Sequence, residues 1–292
     1  MKKTKLGFIG LGMMGKYMAK NLLKSNYQVI GYNRSKKVLL ELKKSGLSIA
    51  ASPKQVAEQS EIIILMLPTS KETNQIIFGK NGLAGGLKRG KTVIDMSTSN
   101  PAETIKIMKR LKKKGISMLD APVSRGQKAA VKGTLSIMVG GDKRSFKKCL
   151  PVFKAMGEYI VHLGPFGSGL YVKALNNFIF AMNLIASTQG LMIMKKNKID
   201  LHKAIEVISE SSGNNLAMAM SIKRNLGKKH PSIGFYLKYM AKDINIFNEI
   251  VKNQKVNHVL AKPVLDYLKS LAKKYGDEDS MYIFEHHILK NK

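Results

Sequence analysis

Gly10-Leu11-Gly12-Met13-Met14-Gly15 decides how the chain begins. An apolar run, Leu6-Gly7-Phe8-Ile9, precedes it, and a helical pattern from Lys16 to Lys24 follows. Strand, glycine turn and helix in that order are the setting in which GxGxxG binds a dinucleotide. Gly10 permits the tight turn, Gly12 lets the backbone approach a pyrophosphate, and Gly15 lets helix and strand pack closely. The helix N-terminus then offers N–H groups and partial positive charge to the phosphates. Leu11, Met13 and Met14 complete the turn and are expected along the cofactor.

Apolar runs and helical patterns alternate through the first half. Strands are expected over Lys5–Ile9, Gln28–Tyr32, Ile62–Leu67, Thr92–Asp95, Ser117–Ala121, Ser136–Gly140 and Tyr159–His162. Helices are expected over Lys16–Lys24, Lys36–Lys44, Ala102–Lys114 and Lys143–Lys154. This rhythm predicts a mostly parallel sheet covered on both faces, an α/β Rossmann domain. After Gly164-Pro165-Phe166-Gly167 the strand signals fade. Helical patterns follow, near Ser168–Lys196, Leu201–Ser211, Ala217–Leu226, Phe235–Lys252, Lys262–Tyr275 and Ser280–Leu289. The expectation is residues 1–164 for cofactor binding and an all-α domain over 165–292. The first of these helices is apolar on most sides, so it is expected to be buried, as a spine shared with a second copy in a homodimer or homotetramer.

Composition narrows the function. The formal net charge is +31, yet only 6 of the 50 basic residues are arginine. The lysines are scattered, Trp is absent, and no basic–aromatic stacking pattern occurs. This argues against nucleic acid and for solvated helix faces whose field draws in an anionic cofactor and substrate. The apolar stretch near 178–194 is broken by Asn183, Ser187, Thr188 and Gln189, so no membrane span is expected. The basic N-terminus leads into a short strand and does not read as a signal peptide. With Cys149 alone no intrachain disulfide can form, which fits a cytoplasmic setting. His286 and His287 are adjacent and share no helix face, so no metal site is expected.

The second strand closes on Asn33-Arg34-Ser35, about twenty residues past the glycine turn, where the adenosine ribose is read. An acidic residue there would favour NAD(H). Arg34 and Ser35 can instead hold a 2′-phosphate, which points to NADP(H), with NAD(H) the alternative. Two further strand ends should border the cofactor, at Leu67-Pro68 and at Thr98.

Two segments carry the chemistry. Asp120-Ala121-Pro122-Val123-Ser124-Arg125-Gly126 runs a strand into a turn whose hydroxyl and N–H groups suit a carboxylate. Gly167 to Asn177 opens the long helix, with Lys173 and Asn177 one turn apart on one face. No Asp or Glu occurs between Tyr159 and Ile199, and the neighbours of Lys173 are apolar. Burial, the lack of a carboxylate in that stretch and the helix dipole all favour the uncharged amine, a usable general acid/base.

In this order the motifs resemble the β-hydroxyacid dehydrogenase family, the group of 3-hydroxyisobutyrate dehydrogenase and tartronate semialdehyde reductase. Gly7–Gly15 looks like its cofactor signature, Asp120–Gly126 with Gly133-Thr134 its substrate signature, and Gly167–Asn177 its catalytic signature. Lys242-Asp243 looks like a late motif whose lysine reaches the cofactor. The resemblance implies reversible oxidation of a small anionic β-hydroxyacid to its semialdehyde. Lys173 would be the acid/base, Asn177 would orient the substrate, and Ser124 with the following backbone at Arg125 and Gly126 would bind its carboxylate. The family's turn commonly reads Ser-Gly-Gly. An arginine there resembles the sulfolactaldehyde reductase branch, where a second anionic group is held. The rival readings are an imine reductase on the same scaffold and a basic cofactor-binding protein without catalysis.

Overall fold

The computed structural model describes residues 4–228 and 230–284. Its residues divide into two compact units, 1–173 and 174–292. The division falls about ten residues beyond the expected linker, inside the long helix.

The first unit opens with β1 (Lys5–Ile9), α1 (Gly15–Lys24), β2 (Gln28–Tyr32), α2 (Lys36–Lys43), β3 (Ser48–Ile49) and α3 (Pro53–Gln59). It continues through β4 (Ile62–Leu65), α4 (Ser70–Phe78), β5 (Thr92–Asp95), α5 (Pro101–Lys112) and β6 (Ser117–Asp120). Then come β7 (Val123–Ser124), α6 (Gly126–Lys132), β8 (Leu135–Gly140), α7 (Lys143–Lys154) and β9 (Gly157–Gly164). The sheet runs β3-β2-β1-β4-β5-β6-β8-β7, with β9 beside β8. From β3 to β6 every pairing is parallel, while β8 runs antiparallel to β6 and β7.

Ile62 to Leu65 shows why such strands read as apolar runs. Alternate side chains enter opposite cores: Ile62 and Ile64 pack with Leu6, Phe8 and Ile94, whereas Ile63 and Leu65 pack with Ile9 and Val93. The strand order reverses between β1 and β4, so the turn after β1 lies at the switch point where ligands of such sheets bind. Helices α3, α4 and α6 carry no clear apolar period. Each is only 7 to 9 residues long, and α4 turns Ser70 and Thr73 inward. The remaining ends move little: β4 and β6 stop short of Leu67 and Ala121, while β9 extends past its expected Tyr159–His162 core at both ends.

The second unit takes over α8 (Ser168–Lys196) from Ala174 and adds α9 (Leu201–Ser209), capped by Asp200. A π-helical turn over Ala217–Ile222 passes into α10 (Lys223–Asn225), where a single α-helix was expected. Then α11 (Leu237–Asn253) and α12 (Ala261–Tyr275) follow, with a last turn α13 (Tyr282–Phe284). Half of the expected Ser280–Leu289 helix lies outside the described residues, as do His286 and His287. Phe178 stacks on Phe247 with ring centroids 4.2 Å apart, fastening α8 to α11.

Within the single chain α8 is buried along one side only. Ala174, Phe178, Ala181 and Leu184 are core, but Leu175, Ile179 and Ile193 are exposed. Only 33% of its most apolar window is buried in the single chain. The helix is long and apolar enough to cross a membrane by length and composition. In this fold its inward face completes a protein core.

Candidate active site

The glycine turn between β1 and α1 owes its shape to contacts that exclude side chains. Gly10 has φ +93°, and a Cβ there would lie 2.2 Å from the Met66 carbonyl oxygen. A Cβ at Gly15 would come within 1.9 Å of the Gly10 carbonyl oxygen. Gly12 differs: it is exposed, and a Cβ there would meet nothing within 4 Å. That is the space a pyrophosphate would take, above the first turn of α1. The residues present therefore fit a dinucleotide.

Asn33 has a task its position at the end of β2 did not reveal. Its Oδ1 accepts the Leu11 N–H at 3.0 Å, and its Nδ2 donates to the Ser35 carbonyl at 3.3 Å. Asn33 thus braces the glycine turn, while Arg34 and Ser35 stand exposed beside it. Across the switch point, the Leu67 N–H donates to Ser97 Oγ at 2.9 Å, and the Ser97 N–H to Asp95 Oδ1 at 3.0 Å. These bonds join the two strand-end loops that carry Leu67, Pro68 and Thr98. Ser97 was not among the expected residues.

Ser124 ends β7, half-buried. Arg125 adopts φ +80°, a left-handed conformation costly for any residue with a Cβ, and Gly126 follows at φ +68°. The guanidinium does not extend freely outward. Its Nη1 donates to the Thr134 carbonyl at 3.3 Å and lies 3.4 Å from Glu158 Oε2. An anion on Arg125 would share or displace that exposed pair.

Lys173 is buried, at 8% exposure, on the first turns of α8. The positive end of that helix does not act on it unopposed, as the dipole argument had it. Asp120, from the end of β6, accepts the Gly167 N–H on Oδ1 at 2.7 Å and the Leu170 N–H on Oδ2 at 3.0 Å. Burial raises the Asp120 carboxyl above its ordinary value, and the backbone N–H bonds pull against that rise. One turn beyond Lys173, Asn177 Nδ2 donates to Asp243 Oδ2 at 2.6 Å, and Asn177 Oδ1 accepts from Asn176 at 3.0 Å. Asp243 is buried on α11, and its Oδ1 lies 3.0 Å from Lys242 Nζ, off the line of a hydrogen bond. Lys242, expected at the cofactor, thus stands in an ion pair beside the carboxylate that holds Asn177. Neither acidic partner was recognised from sequence; Asp243 was visible only as half of a motif.

Among the described residues no cluster of three or more His, Cys, Asp or Glu is arranged to hold a metal. A glycine turn shaped for a dinucleotide, and relatives named dehydrogenases and reductases, mark the chain as an NAD(P)-dependent oxidoreductase. The family described as the NAD binding domain of 6-phosphogluconate dehydrogenase matches residues 5–164, and that of NADP-dependent 3-hydroxyisobutyrate dehydrogenase matches residues 167–286. The chain is 34% identical over 253 residues to 2-hydroxy-3-oxopropionate reductase of Escherichia coli, covering 87% of this chain and 86% of that protein. It is 32% identical to an NAD-dependent L-serine dehydrogenase of Pseudomonas aeruginosa, over 94% of each. A Mycobacterium tuberculosis 3-hydroxyisobutyrate dehydrogenase solved with L-serine superposes with TM-score 0.89 at 25% identity, covering 97% of this chain and 99% of that one. The chain belongs to the β-hydroxyacid dehydrogenase family.

Proposed function

We propose that the protein interconverts a small β-hydroxyacid and its semialdehyde with NADP(H), using Lys173 as general acid/base. The observation that carries this is a buried amine one helical turn from an amide whose orientation Asp243 holds. In reduction Lys173 gives a proton to the oxygen that becomes the hydroxyl; in oxidation it takes that proton back. The nicotinamide, when bound, supplies or accepts the hydride. Asn177 orients the reacting oxygen. Ser124 and the backbone at Arg125 and Gly126 hold the carboxylate. The family resemblance assigns Lys242 to the cofactor. Arg34 and Ser35, with no acid at the end of β2, support NADP(H) over NAD(H).

A second substrate reading has its own support. A non-glycine residue kept in a left-handed conformation stores strain, and such strain concentrates at functional positions. Arg125 there favours substrates with a second anionic group, such as a sulfonate or another carboxylate. The exposed apolar side chains of α8 support pairing with a second copy.

The test is a panel of β-hydroxyacids, including L-serine, sulfonate and dicarboxylate members, with NADP and NAD compared and an imine as control. Lys173→Ala should bind NADPH normally and lose turnover about a hundredfold or more, the scale of general acid/base catalysis. Near-normal turnover in that variant rejects the acid/base role.

A further inference from the structure

Five other helices of the described chain are capped by a residue immediately before them: Ser52, Thr69, Asn100, Asp142 and Asp200. The helix that carries Lys173 is capped from elsewhere in the sequence. Asp120 reaches it from the end of a sheet strand, across 47 positions to Gly167 and 50 to Leu170. Those amides belong to the groups a helix start leaves without intrahelical partners. Two glycines clear room for the carboxylate. A Cβ at Gly140 would sit 2.5 Å from Oδ1, and one at Gly169 would sit 2.9 Å from Oδ2. Asp120 itself is fully buried. The Gly167-Ser168-Gly169 turn is therefore shaped around this side chain, and Leu170 precedes Lys173 by one turn.

We infer that Asp120 is a positioning residue of the reaction: its carboxylate clamps the first turn of α8 to the end of β6 and so sets where the Lys173 amine stands. A carboxylate there is costly, since burial raises its pKa. Both oxygens accept an N–H, which no neutral side chain of that size does. The inference rests on the acid/base reading of Lys173.

Asp120→Asn preserves shape but turns one acceptor into a donor facing an N–H. Its kcat should fall about 10- to 100-fold, while NADPH affinity and KM change less than about threefold, as for a displaced acid/base. The solvent deuterium isotope effect on kcat should rise as proton transfer becomes limiting. Leu170→Pro removes the amide that meets Oδ2, at a first-turn position where a helix accepts proline, and Leu170→Ala serves as the control for the buried side chain lost with it. The proline variant should lose kcat in the same sense. Turnover within twofold of wild type in Asp120→Asn or Leu170→Pro overturns the inference. So does parallel loss of turnover, cofactor binding and thermal stability, or failure of both variants to fold, since each assigns Asp120 a purely structural role. The two ideas fail separately. An active Lys173→Ala removes the acid/base reading itself, whereas an inactive Lys173→Ala beside an active Asp120→Asn removes only the clamp.

Discussion

Asn177 and Asp243 are joined by a 2.6 Å hydrogen bond from the amide nitrogen to the carboxylate, and that bond fixes which end of the amide is spoken for. With Asn176 on Oδ1, one N–H and one lone pair of Asn177 remain to be directed at a substrate. Asp243→Ala removes the anchor and leaves Lys242 without its carboxylate. A hydrogen bond to a charged group is worth about 1.5–3 kcal/mol, so kcat/KM should fall roughly 10- to 100-fold. Steady-state kinetics decide it; wild-type values would show that the orientation of Asn177 does not matter.

Asn33 and Arg34 are neighbours whose proposed duties can be separated. Asn33→Ala withdraws the acceptor of the Leu11 N–H and should weaken NADPH and NADH together. Arg34→Ala should weaken NADPH alone, by about tenfold if a charge-assisted contact is lost. Fluorescence titration of both cofactors separates the two outcomes. Equal loss of both cofactors in Arg34→Ala would reject the 2′-phosphate assignment.

Arg125→Gly should leave the protein at least as stable. Relief of the left-handed conformation is worth about 1 kcal/mol, and the exposed pair with Glu158 contributes little against it. The same variant should lose preference for doubly anionic substrates. A drop in thermal midpoint would show that the guanidinium contacts outweigh the strain.

Cys149 should be inert in the folded protein. It is buried, and burial pushes its thiol up to about 12 from an ordinary 9.0, with Lys148 acting weakly the other way. Because the folded value is the higher one, the stability contributed by the neutral thiol is intact below pH 9.0 and is lost as pH climbs from there towards about 12. A thiol reagent at pH 8 should therefore label only as the chain unfolds. Rapid labelling of native protein would contradict this.

The glycine turn was legible because its constraints are local. A positive φ at Gly10 and the press of Gly15 on the Gly10 carbonyl follow from a strand, a turn and a helix that are contiguous in the chain. The buried lysine was legible for a similar reason, since apolar neighbours at helical spacing mark a covered face. The short helices α3, α4 and α6 were not, because seven to nine residues hold too little of a period to stand out.

Asp120 and Asp243 illustrate the other limit. Sequence displayed Asp120 only within a signature and Asp243 only beside Lys242, because their partners lie 47 to 66 positions away. It also suggested burial for α8, whose outward face turns out exposed in the single chain. What sequence by itself determined was the class of fold and the shape of the cofactor turn, both set by backbone sterics and periodicity over a few turns. Tertiary structure decided which carboxylate meets the start of α8 and which one orients Asn177. Such pairings depend on how the sheet and helices pack, and hydrogen bonds between distant residues leave no periodic trace along the chain.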